Sequence, residues 1–192
     1  TGTAIKFLRE KYSELEFIGL EPAIKPACLA TKTKNIGVLA TQRTFASKHY
    51  KTTSNEYGKF AQIHAQIGHQ LVNIAEENKI ETKEAKELLQ EYIKPLIEKN
   101  IDYLVLGCTH YPFFNKQIKE ICGPKINVID SGEAVSRRTQ EILAKSSLLN
   151  QNKTRGNCSV YTTGNKDLMQ VAWSNLNHNA DNYCTYSDVC ID

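Results

Sequence analysis

The run Tyr103-Leu104-Val105-Leu106 constrains this chain more than any other four residues. An uninterrupted apolar run of that length, closed by Gly107, marks a strand buried on both faces. Such a strand belongs in a parallel sheet covered by helices, so the expected fold class is α/β. Behind the glycine come a thiol, a hydroxyl and an imidazole: Cys108, Thr109 and His110. Tyr111-Pro112 follows, and proline suits the first turn of a helix. That helix is expected over 113–121. It ends at Cys122-Gly123-Pro124, with glycine just past the last turn and proline behind it.

Cys108, Thr109 and His110 therefore stand at the carboxyl end of a buried strand, the edge at which open α/β sheets bind ligands. Unpaired amides at a helix start favour anions there, and the same field favours a thiolate. A free thiol of pKa about 8.5 is roughly a tenth ionised at pH 7.5, and one lowered to about 7 is mostly ionised. The turn is thus expected to hold a carboxylate beside an activated Cys108, the most reactive thiol of the chain. For an isolated Gly-Cys, core packing is the better reading, because free cysteines are among the most buried residues. The Cys-Thr-His order at a strand-to-helix turn shifts the balance to chemistry. A Cys-x-His pair could also supply two zinc ligands, but no second Cys/His cluster with ligand spacing exists in the sequence, so no metal is expected. A Cys-His hydrolase would need a third, orienting residue, and none is evident.

Composition narrows the partners. The formal charge of +3 is spread along the chain, without the basic block that nucleic acid requires. No apolar run is long enough to span a membrane. Hydrophobic residues make up 41% of the 192, enough for a core. The six cysteines, at 28, 108, 122, 158, 184 and 190, show no close pairing in sequence. They are read as reduced thiols of a cytoplasmic protein, with all but Cys108 serving as packing residues or surface thiols.

Strands and helices alternate along the chain, which argues for parallel α/β lobes. Helices are expected over 3–11, 44–52, 69–78, 82–99, 133–145 and 167–176, with a short one inside 21–31. Strands are expected over 16–20, 35–41, 61–67, 125–129 and 159–163, with an edge strand near 183–191. In 61–67, apolar and polar residues alternate, the pattern of a strand with one wet face. Thr82 is a good N-cap, and Pro95 should kink its helix without ending it. Thr41 and Thr44 could cap a helix while offering hydroxyls to a carboxylate. Ser131 could cap 133–145, with Asp130 in capping or loop hydrogen bonding. His64 and His69 read as surface or edge residues, and Glu76 as a helix-surface glutamate.

Leu106-Gly107-Cys108-Thr109-His110-Tyr111-Pro112 resembles the second cysteine motif of glutamate racemases. Tyr92 through Asp102, Val128 through Gly132, Glu21 through Ala27, Ala40 through Thr44 and Tyr161 through Gly164 are similar to other segments of that family, in order. Aspartate racemases usually carry an acidic residue where His110 stands. The resemblance implies two similar parallel-sheet lobes facing one another across a cleft. Residues 21–130 would be the second lobe, with 1–20 and 131–192 the remainder of an incomplete first lobe. It implies racemisation of glutamate by two opposed bases with no cofactor, supplying D-glutamate for peptidoglycan. Cys108 would be one base and His110 its assistant. Thr1, Thr41, Thr44, Thr109 and His110 would contact substrate, and Glu76 would support His110. The family's first catalytic cysteine lies in an Ala-Cys-Asn-Thr stretch whose threonine matches Thr1, so the chain is expected to be a fragment, inactive alone. The resemblance also allows a homodimer. Arg43, Gly68-His69 and Asn73 depart from the family pattern. The competing readings are an aspartate or hydantoin racemase, and a degenerate lobe that binds an acidic ligand without turning it over.

Overall fold

The computed structural model describes residues 4–152, 156–176 and 184–189. Its central element is a four-stranded, wholly parallel sheet of β1 (Asn35–Ala40), β2 (Gln62–Ile67), β3 (Tyr103–Leu106) and β4 (Asn127–Ile129), in the order β2-β1-β3-β4. The fold is α/β, as the apolar runs require. β1 and β3 fill the middle, and their alternating side chains serve two cores. Leu39, Leu104 and Leu106 face α5 (Leu71–Glu76), α6 (Lys83–Ile97) and α7 (Asn115–Cys122), meeting Leu89, Ile93, Phe114 and Ile118. Ile36, Val38, Ala40 and Val105 face α2 (Ile24–Ala30) and α4 (Lys48–Tyr57), meeting Ile24, Ala27 and Cys28. A second, two-stranded parallel sheet joins β5 (Cys158–Thr162) to β6 (Cys184–Asp188). No helix among the described residues is long and apolar enough to cross a membrane.

The strand order creates a switch point. From β1 the chain turns to β2 on one side, whereas from β3 it turns to β4 on the other. The loops after β1 and β3 therefore diverge and leave a crevice at their carboxyl ends, where ligands of such sheets bind. Residues 41–44 and 107–110 flank that crevice.

Several local readings need correction. Residues 16–20 form no strand, because no neighbouring strand offers them a ladder among the described residues; Arg9 Nη2 instead donates to the Phe17 carbonyl at 2.8 Å. The helix over 44–52 is two helices, α3 (Gln42–Ala46) and α4, parted at Ser47, whose hydroxyl caps α4 by accepting from Tyr50 N at 3.2 Å. The helix after the Cys-Thr-His turn opens as a 3-10 helix, Tyr111–Phe114, before α7. β2 has no clean wet face: Ala65 is exposed while His64 and Gln66 are half-buried. His64 Nε2 lies 2.9 Å from Asn35 Oδ1, and burial first, then Lys99, pushes its pKa down. Ser131 makes no capping bond to α8 (Gly132–Lys145); Asp130 Oδ1 accepts from Gly132 N at 2.6 Å. Thr82 caps α6 as expected, and that helix continues through Pro95. The remaining helices are α1 (Ile5–Lys11) and α9 (Lys166–Leu176).

Asp102, just before β3, ties the strand to the α2–β1 loop. Its carboxylate accepts from Thr31 Oγ1, from Lys32 N at 2.7 Å, and from Thr33 N and Oγ1 at 3.3 and 3.2 Å. Burial pushes the carboxyl up, but these donors outweigh it and hold it below the usual carboxylate range. Asp102→Asn keeps the shape and loses the charge, so it is expected to cost about 2 kcal/mol in urea denaturation. The contribution is complete above the unfolded-state pKa of about 3.9 and lost as pH falls through the lower folded-state value. The gap between wild type and variant should therefore close below about pH 4; a gap unchanged down to pH 2 would count against the clamp.

Candidate functional site

Cys108 follows β3 on a turn that approaches β1 too closely for a side chain at residue 107. Gly107 N donates to Leu39 O at 2.8 Å, and a Cβ there would meet the Ala40 Cβ at 2.8 Å. Thr41 caps α3 by accepting from Thr44 N at 3.2 Å, and Thr44 Oγ1 donates to the Gly107 carbonyl at 3.1 Å. Both hydroxyls therefore brace the loop that carries Cys108. Neither residue lines the cavities beside it.

Beyond the turn, the Tyr111 ring is fully buried. Its hydroxyl donates to the Gly68 carbonyl at 2.9 Å, locking the end of β2 onto the 3-10 helix. Gly68 has to be small, since a Cβ would come within 2.6 Å of that hydroxyl. His69 is exposed, and its carbonyl accepts from Tyr92 Oη at 3.3 Å.

The fold brings the sequence-distant Glu76 into line with Cys108 and His110. Cys108 Sγ lies 3.9 Å from His110 Nδ1, and His110 Nε2 lies 3.2 Å from Glu76 Oε1 at the end of α5. The imidazole can thus exchange a proton with the thiol through one nitrogen while the carboxylate orients the other. Thr109 is exposed between two cavities. A small one of about 140 Å³ is walled by Gly107, Cys108, Thr109, Pro22 and Asp130. A larger one of about 470 Å³ runs between Glu76, Thr109, His110 and Phe113 on one side and Thr162, Gly164, Asn165 and Met169 on the other. Among the described residues, Cys108 is the only cysteine on either cavity. No three His, Cys, Asp or Glu residues among them converge as a metal site. Thr1 lies outside the described residues.

The ionisation of Cys108 differs from the expectation of an activated thiolate. Burial pushes its thiol up, and the amides of His110 and Tyr111, which pull it down, do not offset that. One 3-10 turn of four residues aligns few peptide dipoles at the thiol, so desolvation wins. The turn Thr162-Thr163-Gly164-Asn165 facing His110 went unassigned to the site in the sequence. Its signal was available: a polar, glycine-containing turn after a strand, the same arrangement that singled out 107–110.

The chain is similar in sequence and fold to known proteins. A family model described as Asp/Glu/Hydantoin racemase matches residues 3–139. The glutamate racemase of Herpetosiphon aurantiacus is 37% identical over 161 residues, covering 84% of this chain and 63% of that protein. The glutamate racemase of Aliarcobacter butzleri is 41% identical over 140 residues, covering 72% of this chain and 54% of that one. The chain thus spans 54–63% of the length of these two relatives. The crystal structure of glutamate racemase isoform RacE1 from Bacillus anthracis matches with a TM-score of 0.75 at 25% identity, over 100% of this chain and 71% of that one. Since the family match takes in the whole parallel sheet and the Cys108-Thr109-His110 turn with it, the chain belongs to the Asp/Glu/hydantoin racemase family.

Proposed function

We propose that this chain is the Cys108-bearing part of a glutamate racemase that works without a cofactor. The alignment of Cys108, His110 and Glu76 from the smaller cavity to the larger carries this reading. Racemisation removes the Cα proton from one face of the amino acid and returns one to the other, so it needs two acid/bases on opposite sides. Cys108 takes the role on one face, taking the Cα proton as thiolate or giving one as thiol. His110, held by Glu76, receives and returns the thiol proton. Thr109, through its amide and hydroxyl, holds a substrate carboxylate, and Thr41 and Thr44 keep the turn in place beside it. Residues 21–130 form the lobe with this machinery, and 1–20 with 131–192 belong to the lobe across the cleft. The function is to supply D-glutamate for peptidoglycan in the cytoplasm. The relatives' glutamate activity supports glutamate over aspartate or hydantoins, as does His110.

The described residues offer no second thiol opposite Cys108. The 192-residue chain on its own is therefore expected not to interconvert L- and D-glutamate. The measurement is chiral chromatography after incubation with L-glutamate in D2O, with NMR of the Cα position. Racemisation by the chain alone, abolished by Cys108→Ala, would overturn the one-base assignment. Glutamate binding without Cα exchange, even when an opposing cysteine-bearing segment is supplied, would favour a binding lobe that has lost catalysis.

A further inference from the structure

Cys158 opens β5, Cys184 opens β6, and the two are direct partners in the parallel register. Neighbouring strands lie about 4.8 Å apart, within the separation of about 4.4–6.8 Å between Cα atoms that a disulfide bridges. Register partners on parallel strands point to the same side. Here Cys158, Val160 and Thr162 share the half-buried face with Cys184 and Tyr186, while Ser159, Tyr161, Thr185 and Ser187 are exposed. Both thiols are free and partly accessible, and they stand side by side at the start of the two strands. In sequence they are 26 positions apart and show no pairing; only the fold brings them together.

We propose that Cys158 and Cys184 form a reversible dithiol–disulfide couple that staples β6 to β5. The oxidant is a small disulfide such as oxidised glutathione. One protein thiol loses its proton to solvent, and its sulfur attacks the glutathione disulfide. That S–S bond breaks, and one glutathione leaves and takes up a proton. The second protein thiol, also deprotonated by solvent, then attacks the protein sulfur of the mixed disulfide and expels the second glutathione. Two protein thiols lose two electrons and one glutathione disulfide gains them. The consequence is structural. A lone two-stranded sheet is marginal, and the new bond would close the stretch that contains α9, whose Leu168 and Met169 wall the larger cavity. The couple is independent of the racemase reading, which uses neither residue.

The test equilibrates the intact protein across ratios of reduced to oxidised glutathione, then unfolds, alkylates and maps it by mass spectrometry. The expected result is an intramolecular Cys158–Cys184 peptide pair, lighter by about 2 Da than the two thiols, which disappears on treatment with dithiothreitol. The core thiols Cys28 and Cys122 should remain alkylated. In Cys184→Ser, Cys158 should stop at the glutathione adduct. Proteolysis between 163 and 183 should slow at least about threefold in the oxidised form. The proposal fails if Cys158 stays reduced under the most oxidising ratio. It fails equally if Cys158 pairs with Cys190, or if the bond forms only between two molecules.

Discussion

Cys108→Ala, made in the two-base enzyme, is expected to lower glutamate racemisation roughly 10³- to 10⁴-fold, the upper range for losing a general acid/base. The substitution leaves a small hydrophobic residue at a half-buried strand end, so thermal stability should change little beside that loss. The pH profile carries a second expectation. Because burial holds the Cys108 thiol above its ordinary value, the free protein carries it mainly as the thiol near neutral pH. In the direction that begins with Cys108 as base, kcat/KM should therefore rise with pH beyond the ordinary thiol range near 8.5. In the proposed mechanism, the His110–Glu76 contact at 3.2 Å offers the Cys108 proton a place to go near neutrality. A Cys108→Ala enzyme within tenfold of wild type would remove Cys108 from the mechanism. A profile flat from pH 6 to 9 would instead mean that substrate binding, or the closed cleft, resets its ionisation.

What could be read ahead of the structure follows the range of the forces involved. The β3 run, the Thr82 cap and the chain's passage through Pro95 depend on neighbours within a turn or two. They are written in local pattern. Cys108 and His110 are two residues apart, so their meeting was visible too. Glu76 is legible only through the family resemblance: alone it is one more surface glutamate, and the packing of α5 against the 3-10 helix is what sets it beside His110. The Asp102 clamp joins residues about 70 positions apart, and nothing local to either end announces it. The expected strand over 16–20 failed for the same reason, since a strand exists only where another lies beside it. The ionisation of Cys108 is not legible locally, because the helix start beside it is a 3-10 turn and not a full α-helical one, and burial outweighs its few aligned amides. The balance between dipole and burial cannot be struck until the depth of the thiol is known.

Gly107→Ala should lower activity steeply for a substitution that adds a single methyl group. The added Cβ would lie 2.8 Å from Ala40 Cβ, 3.6 Å from Leu39 O and 3.7 Å from Pro22 Cγ. The first contact is far inside the 3.5–4.0 Å at which carbon atoms pack. Ala40 is fully buried on β1 and has no rotamer by which to withdraw, so backbone has to move. Overpacking of this kind costs typically 1–3 kcal/mol. The part free to move is the turn itself, held by Gly107 N to Leu39 O and by Thr44 to the Gly107 carbonyl, and moving it displaces Cys108. A shift of about 1 Å at a reacting group can cost on the order of 10²-fold in rate, so activity should fall far more steeply than stability. Gly123→Ala separates the two effects. That position has nothing within 4 Å of a new Cβ but a φ of +69°, a conformation that costs a non-glycine residue roughly 1–3 kcal/mol. It lies past the end of α7, away from Cys108. Melting temperature should fall in both variants, and the rate per folded molecule only in Gly107→Ala. If both variants lose rate equally, the turn is not what places the thiol. If Gly107→Ala keeps full rate and stability, the close approach of β1 and β3 at this turn is not a constraint on the site.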